Sequence, residues 1–148
     1  MIERQELCSL IPHADTMCLL DQVLEWDDTS IRCRSDSHRR ADNPLRSEAG
    51  LSAVHLIEYG AQAAAVHGGL CGREAGLSVR PGFIAAIRQV ELAVEWIHDI
   101  GAPLEVSGSR VMGDTDIMVY SFEIGASGCF LARGRVTVAT PEPEGEPS

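Results

Sequence analysis

The chain has 148 residues, 45% hydrophobic, 5% aromatic and 23% charged, which suits about one domain with an aliphatic core and excludes disorder for its body. A formal charge of −10 and an isoelectric point near 4.8 oppose sequence-independent nucleic-acid binding, which needs clustered cations, so any anionic partner must meet a local patch. All 12 basic residues are arginine, and the absence of lysine excludes Schiff-base chemistry and a lysine general base.

In chain order, residues 3–10 form a short amphipathic turn stopped by Pro12, which lacks an amide hydrogen and disfavours helix in the residue before it. Residues 17–26, MCLLDQVLEW, read as a strand, Asp27-Asp28-Thr29 as a turn, and residues 30–37 as its partner, with Ile31 and Cys33 alternating against Arg32 and Arg34. The polar stretch HRRADNPLRSEAG, residues 38–50, is a loop with Pro44 and Gly50 as breakers. It leads into residues 51–70, LSAVHLIEYGAQAAAVHGGL, the one long run that fits a buried helix. Ser52 is the expected N-cap, Gly68, Gly69 and Gly72 mark the end, and Ala61, Ala63, Ala64 and Ala65 let other backbone approach closely.

After a loop over residues 73–80 come four strands, at 83–97, 104–112, 117–124 and 129–140, punctuated by Pro81-Gly82, Gly101-Ala102-Pro103, Gly113-Asp114 and Ser127-Gly128. Two strands, a long helix and four strands define an α+β domain over residues 1–140, in which one antiparallel sheet wraps one central helix. No second helix is available to cover the sheet, whose open edge and bare face are most simply managed by pairing with another copy, so a dimer is expected. The acidic, proline-rich residues 141–148 have nothing to bury and are expected to be disordered. Five cysteines without paired short spacing read as reduced and mostly buried. The charged N-terminal segment and the absence of a long apolar run predict a cytoplasmic protein without membrane insertion.

The helix is unusual in carrying Glu58, Gln62, His55 and His67, since buried charge and unpaired polar groups are costly. With the order of elements, SAVHLIEYGAQ resembles the hotdog-fold beta-hydroxyacyl-acyl carrier protein dehydratases, whose helix segment PGVLxxEAxAQ supplies a catalytic glutamate. Glu58 matches that glutamate and Gln62 the glutamine one turn later; Pro12, His13, Leu19, Leu20, Asp21 and Val23 match the family's opening PHRYPFLLVDRV. The stretch from Phe83 through Val90, Pro103-Leu104 and SGCFLARGRVTV is similar to the family's later strands. Two departures stand out: residues 43–50 lack the histidine of the family's HFPxxPxxPG loop, and Ser52-Ala53 replaces the Pro-Gly whose glycine amide is implicated in holding the thioester carbonyl. With its EYxAQ helix and HGG-type end, the chain is most similar to a divergent branch, the aryl-polyene dehydratase subunits.

The resemblance implies a 3-hydroxyacyl thioester substrate on acyl carrier protein or CoA, a homodimer or mixed hotdog oligomer, and fatty-acid or polyene biosynthesis. Dehydration needs a base at the alpha carbon, an acid at the beta oxygen and donors for the enolate-like oxygen. Burial would suit Glu58 to the acid role, because desolvation keeps a carboxyl protonated. At about 100° per residue Leu51, His55, Glu58 and Gln62 share a stripe, which makes His55 the candidate base; Gln62 is read as orienting Glu58 or bonding backbone. Ser52 and Ala53 stand where substrate would be held by amides at the helix start. His13 and His67 are secondary catalytic candidates, against a structural role for His13 before the first strand and a C-terminal dipole contact for His67. His38 and His98 read as loop residues without local partners, and His38-Arg39-Arg40 as the basic patch nearest to what a carrier protein needs. No metal site, phosphate loop or dinucleotide fingerprint is present, so no cofactor is implied. Two alternatives remain: a hotdog thioesterase in which Glu58 activates water or acts as nucleophile, and a catalytically weak or inactive acyl-binding or scaffold subunit.

Overall fold

The computed structural model describes residues 1–11, 17–76, 83–113 and 116–139, which leaves His13, Pro12 and the tail outside the described residues. The expected turn at Asp27 is present. Its carboxylate accepts amide hydrogen bonds from Thr29 (3.0 Å) and Ser30 (2.8 Å), which hold it below the usual carboxylate range and reverse the chain between β2 (Gln22–Trp26) and β3 (Ser30–Ser35).

The strand expected at 17–26 starts only at Gln22. Upstream, backbone groups are satisfied by side chains instead of a ladder: the Leu19 amide donates to Gln62 Oε1 (2.8 Å), and the Leu19 carbonyl accepts the Ser35 hydroxyl. The expected amphipathic turn at 3–10 is a two-residue strand, β1 (Ile2–Glu3), paired with β2 and followed by a short helix, α1 (Arg4–Ser9). A second helix therefore exists, though too short to cover the sheet. It also corrects the reading of the cysteines as all reduced. α1 lies beside the lead-in to β2, where Arg4 donates to the Cys18 carbonyl (2.9 Å), and Cys8 and Cys18 form a disulfide with Cα atoms 5.9 Å apart. Ten positions of sequence separation carry no signal of this; the pairing of β1 with β2 creates it.

A 3-10 turn, Ala53–His55, opens the central helix α2, Leu56–Glu74, so the helix extends past the expected stop at Gly68, Gly69 and Gly72. Gly69 serves packing, not termination: a Cβ there would lie 3.3 Å from Leu10 Cβ and the Leu10 carbonyl. The stop is Gly76, whose left-handed backbone (φ +81°) lets its amide return to the Arg73 carbonyl (3.0 Å).

The remaining strands, β4 (Phe83–Leu92), β5 (Leu104–Gly113), β6 (Ile117–Ala126) and β7 (Cys129–Ala139), complete a seven-stranded antiparallel sheet in the order β1-β2-β3-β5-β6-β7-β4. α2 packs on β3, β5, β6 and β7, and the interface holds the core, including Leu56, Tyr59, Val66, Val106, Phe122 and Ile124. The helix and sheet meet closely at Phe122. A Cβ on Gly60 of α2 would meet the ring at 2.5 Å, and one on Gly134 of β7 at 3.0 Å, so two missing side chains form the slot that the ring fills. β4 ends at Leu92, short of the expected residue 97, because the chain turns back over the start of the central helix. There Ile97 donates to the Leu51 carbonyl and Ala53 to the Glu95 carbonyl (both 2.9 Å). Among the described residues no helix is long and apolar enough to cross a membrane.

Candidate active site at the start of the central helix

The stripe predicted from helical spacing is shorter than expected, because Leu51 precedes the 3-10 turn and His55 ends it, leaving Glu58 and Gln62 on α2 itself. Leu51 is fully buried and Gln62 is 9% exposed, whereas His55 and Glu58 between them are half-buried. Glu58 is thus more open in the protomer than the buried acid expected from its helix. Three positions apart at the start of α2, His55 and Glu58 are neighbours on one face, and neither side chain makes a hydrogen bond or ion pair among the described residues. The rim beside them is apolar, with Val54 at 49% exposure.

Everything around this pair is already committed. Gln62 bonds backbone and not Glu58: its amide donates to the Met17 carbonyl (2.5 Å) and accepts from Leu19 (2.8 Å), clamping the lead-in to β2 against the helix. Ser52 caps the 3-10 turn by accepting from the Val54 amide (3.2 Å), and its carbonyl accepts from His55 (3.1 Å). The Ala53 amide donates to the Glu95 carbonyl. The expectation that the helix start offers free amides to a thioester is corrected here, since the returning segment 93–98 and the Ser52 side chain have taken them.

The other described histidines, His38, His67 and His98, are bonded to other parts of the chain. His67 is fully buried, with Nδ1 2.6 Å from the Tyr120 hydroxyl, Nε2 2.8 Å from the Asp27 carbonyl, and Trp26 and Tyr120 edge-on to its ring. Nine residues beyond Glu58 along a helix rising about 1.5 Å per residue, it is too far to act with that carboxylate. It pins the β2–β3 turn to the helix and sheet; the expected dipole contact is not its role. His38 is also fully buried and bonds the Ile100 carbonyl (3.0 Å), and His98 Nδ1 accepts the Leu51 amide (3.0 Å), so both have the partners that the sequence did not reveal. The His98 ring fills the space where Gly50 (φ +122°) lacks a side chain. Arg39 and Arg40 are paired with Asp36 (2.7 Å) and Asp21 (2.6 Å), which neutralises the expected basic patch. Among the described residues no group of three or more potential metal ligands comes together.

Sequence reasoning missed the network around Tyr59. Its buried hydroxyl lies 2.7 Å from Ser37 Oγ and accepts from Asn43 Nδ2 (3.3 Å), while Ser37 continues to Ser35 (2.9 Å) and so to Leu19. Asn43 also accepts from the Leu45 amide (2.8 Å), an Asx turn of the kind an Asn-Pro pair favours; the link to the helix had no local signal. The network and the Gln62 clamp together tie the first turns of α2 to the lead-in to β2 and to the loop after β3.

Burial pushes both His38 and His67 below the ordinary histidine value of 6.5, so the folded state holds them neutral. Unfolding frees them to protonate at the ordinary value, and the stability they contribute is therefore full above about pH 6.5 and lost as pH falls through the depressed folded values. The unfolding free energy from denaturant titrations should fall from pH 7.5 to pH 5.5, with a slope of up to about 1.4 kcal/mol per pH unit for each histidine. His67→Gln should flatten that slope; a variant that keeps the full slope would contradict the assignment.

One long helix wrapped by a seven-stranded antiparallel sheet defines a hotdog fold. The ApeP dehydratase family model matches residues 5–147, and the chain belongs to this ApeP-like family. Among solved structures it is similar to the dehydratase heterocomplex ApeI:P from Xenorhabdus doucetiae, at 25% identity and TM-score 0.83, covering 91% of this chain and 90% of that one. It shares its fold with S. sahachiroi AziG at 19% identity (TM-score 0.63; 88% and 97% covered). The same holds for a hypothetical thioesterase with coenzyme A from Streptococcus pneumoniae TIGR4 at 12% (TM-score 0.59; 81% and 84% covered). No curated protein sequence matches the chain.

Proposed function

We propose that this chain is a subunit of a 3-hydroxyacyl thioester dehydratase acting on acyl groups carried by an acyl carrier protein or CoA. The observation that carries this reading is that Glu58 and His55, three positions apart at the start of the helix, are both half-buried and uncommitted among the described residues. In the reaction, a base removes the alpha proton, the electron pair forms the alkene, and the beta hydroxyl leaves as water after taking a proton from an acid. His55 is the proposed base and Glu58 the acid.

The donors that the enolate-like oxygen needs are not supplied by Ala53 or Val54, whose amides are used internally. We therefore infer that a second hotdog subunit completes the site. The edge strand β4 exposes Ile87 (46%) and Leu92 (40%), a surface suited to pairing, and the similar ApeI:P dehydratase is a heterocomplex. A fatty-acid or polyene pathway in the cytoplasm belongs with this reading. The used amides also favour a second reading, in which the chain shelters an acyl group and its partner performs the chemistry.

Incubation of the chain with a 3-hydroxyacyl carrier thioester, alone and with its cognate hotdog partner, should give the enoyl thioester by loss of water, faster with the partner. Release of the free acid would indicate a thioesterase instead. No enoyl product even with the partner would sink the dehydratase reading.

A further inference from the structure

Directly opposed residues on antiparallel strands project to the same face, so the register sorts the outer face of the sheet into rows. One row runs Glu25, Arg32, Ser107, Glu123, Arg133, Glu91. Its arginines are neutralised: Arg32 pairs with Glu25 and Glu105 (both 3.0 Å), and Arg133 with Glu91 (2.9 Å). The adjacent row differs in kind. Arg88 of β4 stands directly opposite Arg135 of β7, which stands opposite Ser121 of β6, and Ser109 and Ser30 follow. Both arginines are exposed, and among the described residues neither has an ion-pair partner. Like charges directly opposed destabilise a sheet, yet a chain with 22 acidic residues places none in this row.

Beside the arginine pair the sheet is indented. β4 bulges between Arg88 and Glu91, where Gln89 adopts a left-handed backbone (φ 54°) that is unfavourable for a residue with a side chain. The result is a groove of about 560 Å³ with Gln89, Ser121, Arg133 and Arg135 among its walls.

We propose that this groove binds a phosphate group, with Arg135 and the Ser121 hydroxyl of its wall supplying charge and a donor, and Arg88, outside the wall but directly opposite Arg135 and next to Gln89, adding a second charge. Guanidinium forks match phosphate oxygens, and a phosphate relieves the repulsion between the two arginines. A broad acidic protein surface fits less well, because the site is concave; the one carboxylate in its wall, Glu91, is balanced by Arg133 (2.9 Å). The source of the phosphate rests on the thioester reading, in which CoA and the phosphopantetheine arm of a carrier both bring one; phosphate binding itself does not depend on catalysis.

The test is equilibrium binding to the full chain of CoA, phosphopantetheine, pantetheine, and a carrier protein with and without its phosphopantetheine arm. Phosphopantetheine should bind at least about tenfold more tightly than pantetheine, and Arg88→Ala or Arg135→Ala should each remove most of that difference while leaving pantetheine unchanged. Arg133→Ala, whose charge Glu91 already balances, should have little effect. Because the pair is like-charged, neither variant should melt below the wild type. Tighter binding of free CoA, or of the arm-bearing carrier, identifies the source, and either supports the site. Equal binding of phosphopantetheine and pantetheine, unchanged affinity in both variants, or arginine-dependent binding of the carrier without its arm would overturn it. Loss of dehydration with this binding intact would reject the catalytic reading alone.

Discussion

Glu58→Gln is expected to lower the rate of dehydration by about 10²–10⁴-fold, the contribution typical of a positioned general acid, while leaving the melting temperature close to that of the wild type. The amide keeps the shape of the carboxyl group but has no proton to give at the beta oxygen. The fold should tolerate it, because Glu58 is half-buried and makes no hydrogen bond or ion pair among the described residues. The measurement is single-turnover formation of the enoyl thioester in the presence of the hotdog partner, with unfolding followed in parallel. Full turnover by Glu58→Gln would remove the central assignment. If Glu58→Gln is inactive while His55→Ala retains full activity, the acid stands and the base must come from another group, with a residue of the second subunit the first to examine.

Phe122→Ala is expected to cost about 4–5 kcal/mol of folding stability, the upper end of the range for an aromatic core truncation. The reason is local. The ring is 2% exposed and is flanked by Gly60 on the helix and Gly134 on β7, so its removal leaves a cavity walled on two sides by backbone with no side chain able to collapse into it. A double-mutant cycle makes the geometry testable. Gly60→Ala alone should destabilise, because its Cβ would begin 2.5 Å from the ring; in the Phe122→Ala background the same change should stabilise, by filling part of the void and by the better helix propensity of alanine. Denaturant unfolding of the four proteins measures this change of sign. Additive effects would mean that the helix and sheet are not in contact through this residue.

Local pattern was enough for much of this protein. The alternation of Ile31 and Cys33, the turn at Asp27 and the apolar runs after Gly82 marked strands, because a pleat of period 2 writes itself into consecutive residues. The stripe Leu51, His55, Glu58, Gln62 was likewise visible, because helical spacing is also local, and the match of SAVHLIEYGAQ to a dehydratase helix pointed to the family that the chain belongs to. What those residues bond to was not visible. Gln62 reaches Met17 and Leu19 more than forty positions away, the Ala53 amide is taken by Glu95, and His67 and His38 are buried against carbonyls of other loops. The Cys8–Cys18 disulfide depends on how β1 pairs with β2, and the opposition of Arg88 and Arg135 on the register of β4 and β7. The sequence by itself placed the long helix and most of the strands, and singled out Glu58 as the candidate, since these follow from short-range periodicity and side-chain type. Only the tertiary structure decided which polar groups stay open, because a donor or acceptor is spent by whatever the fold brings within about 3 Å of it, however distant in the chain.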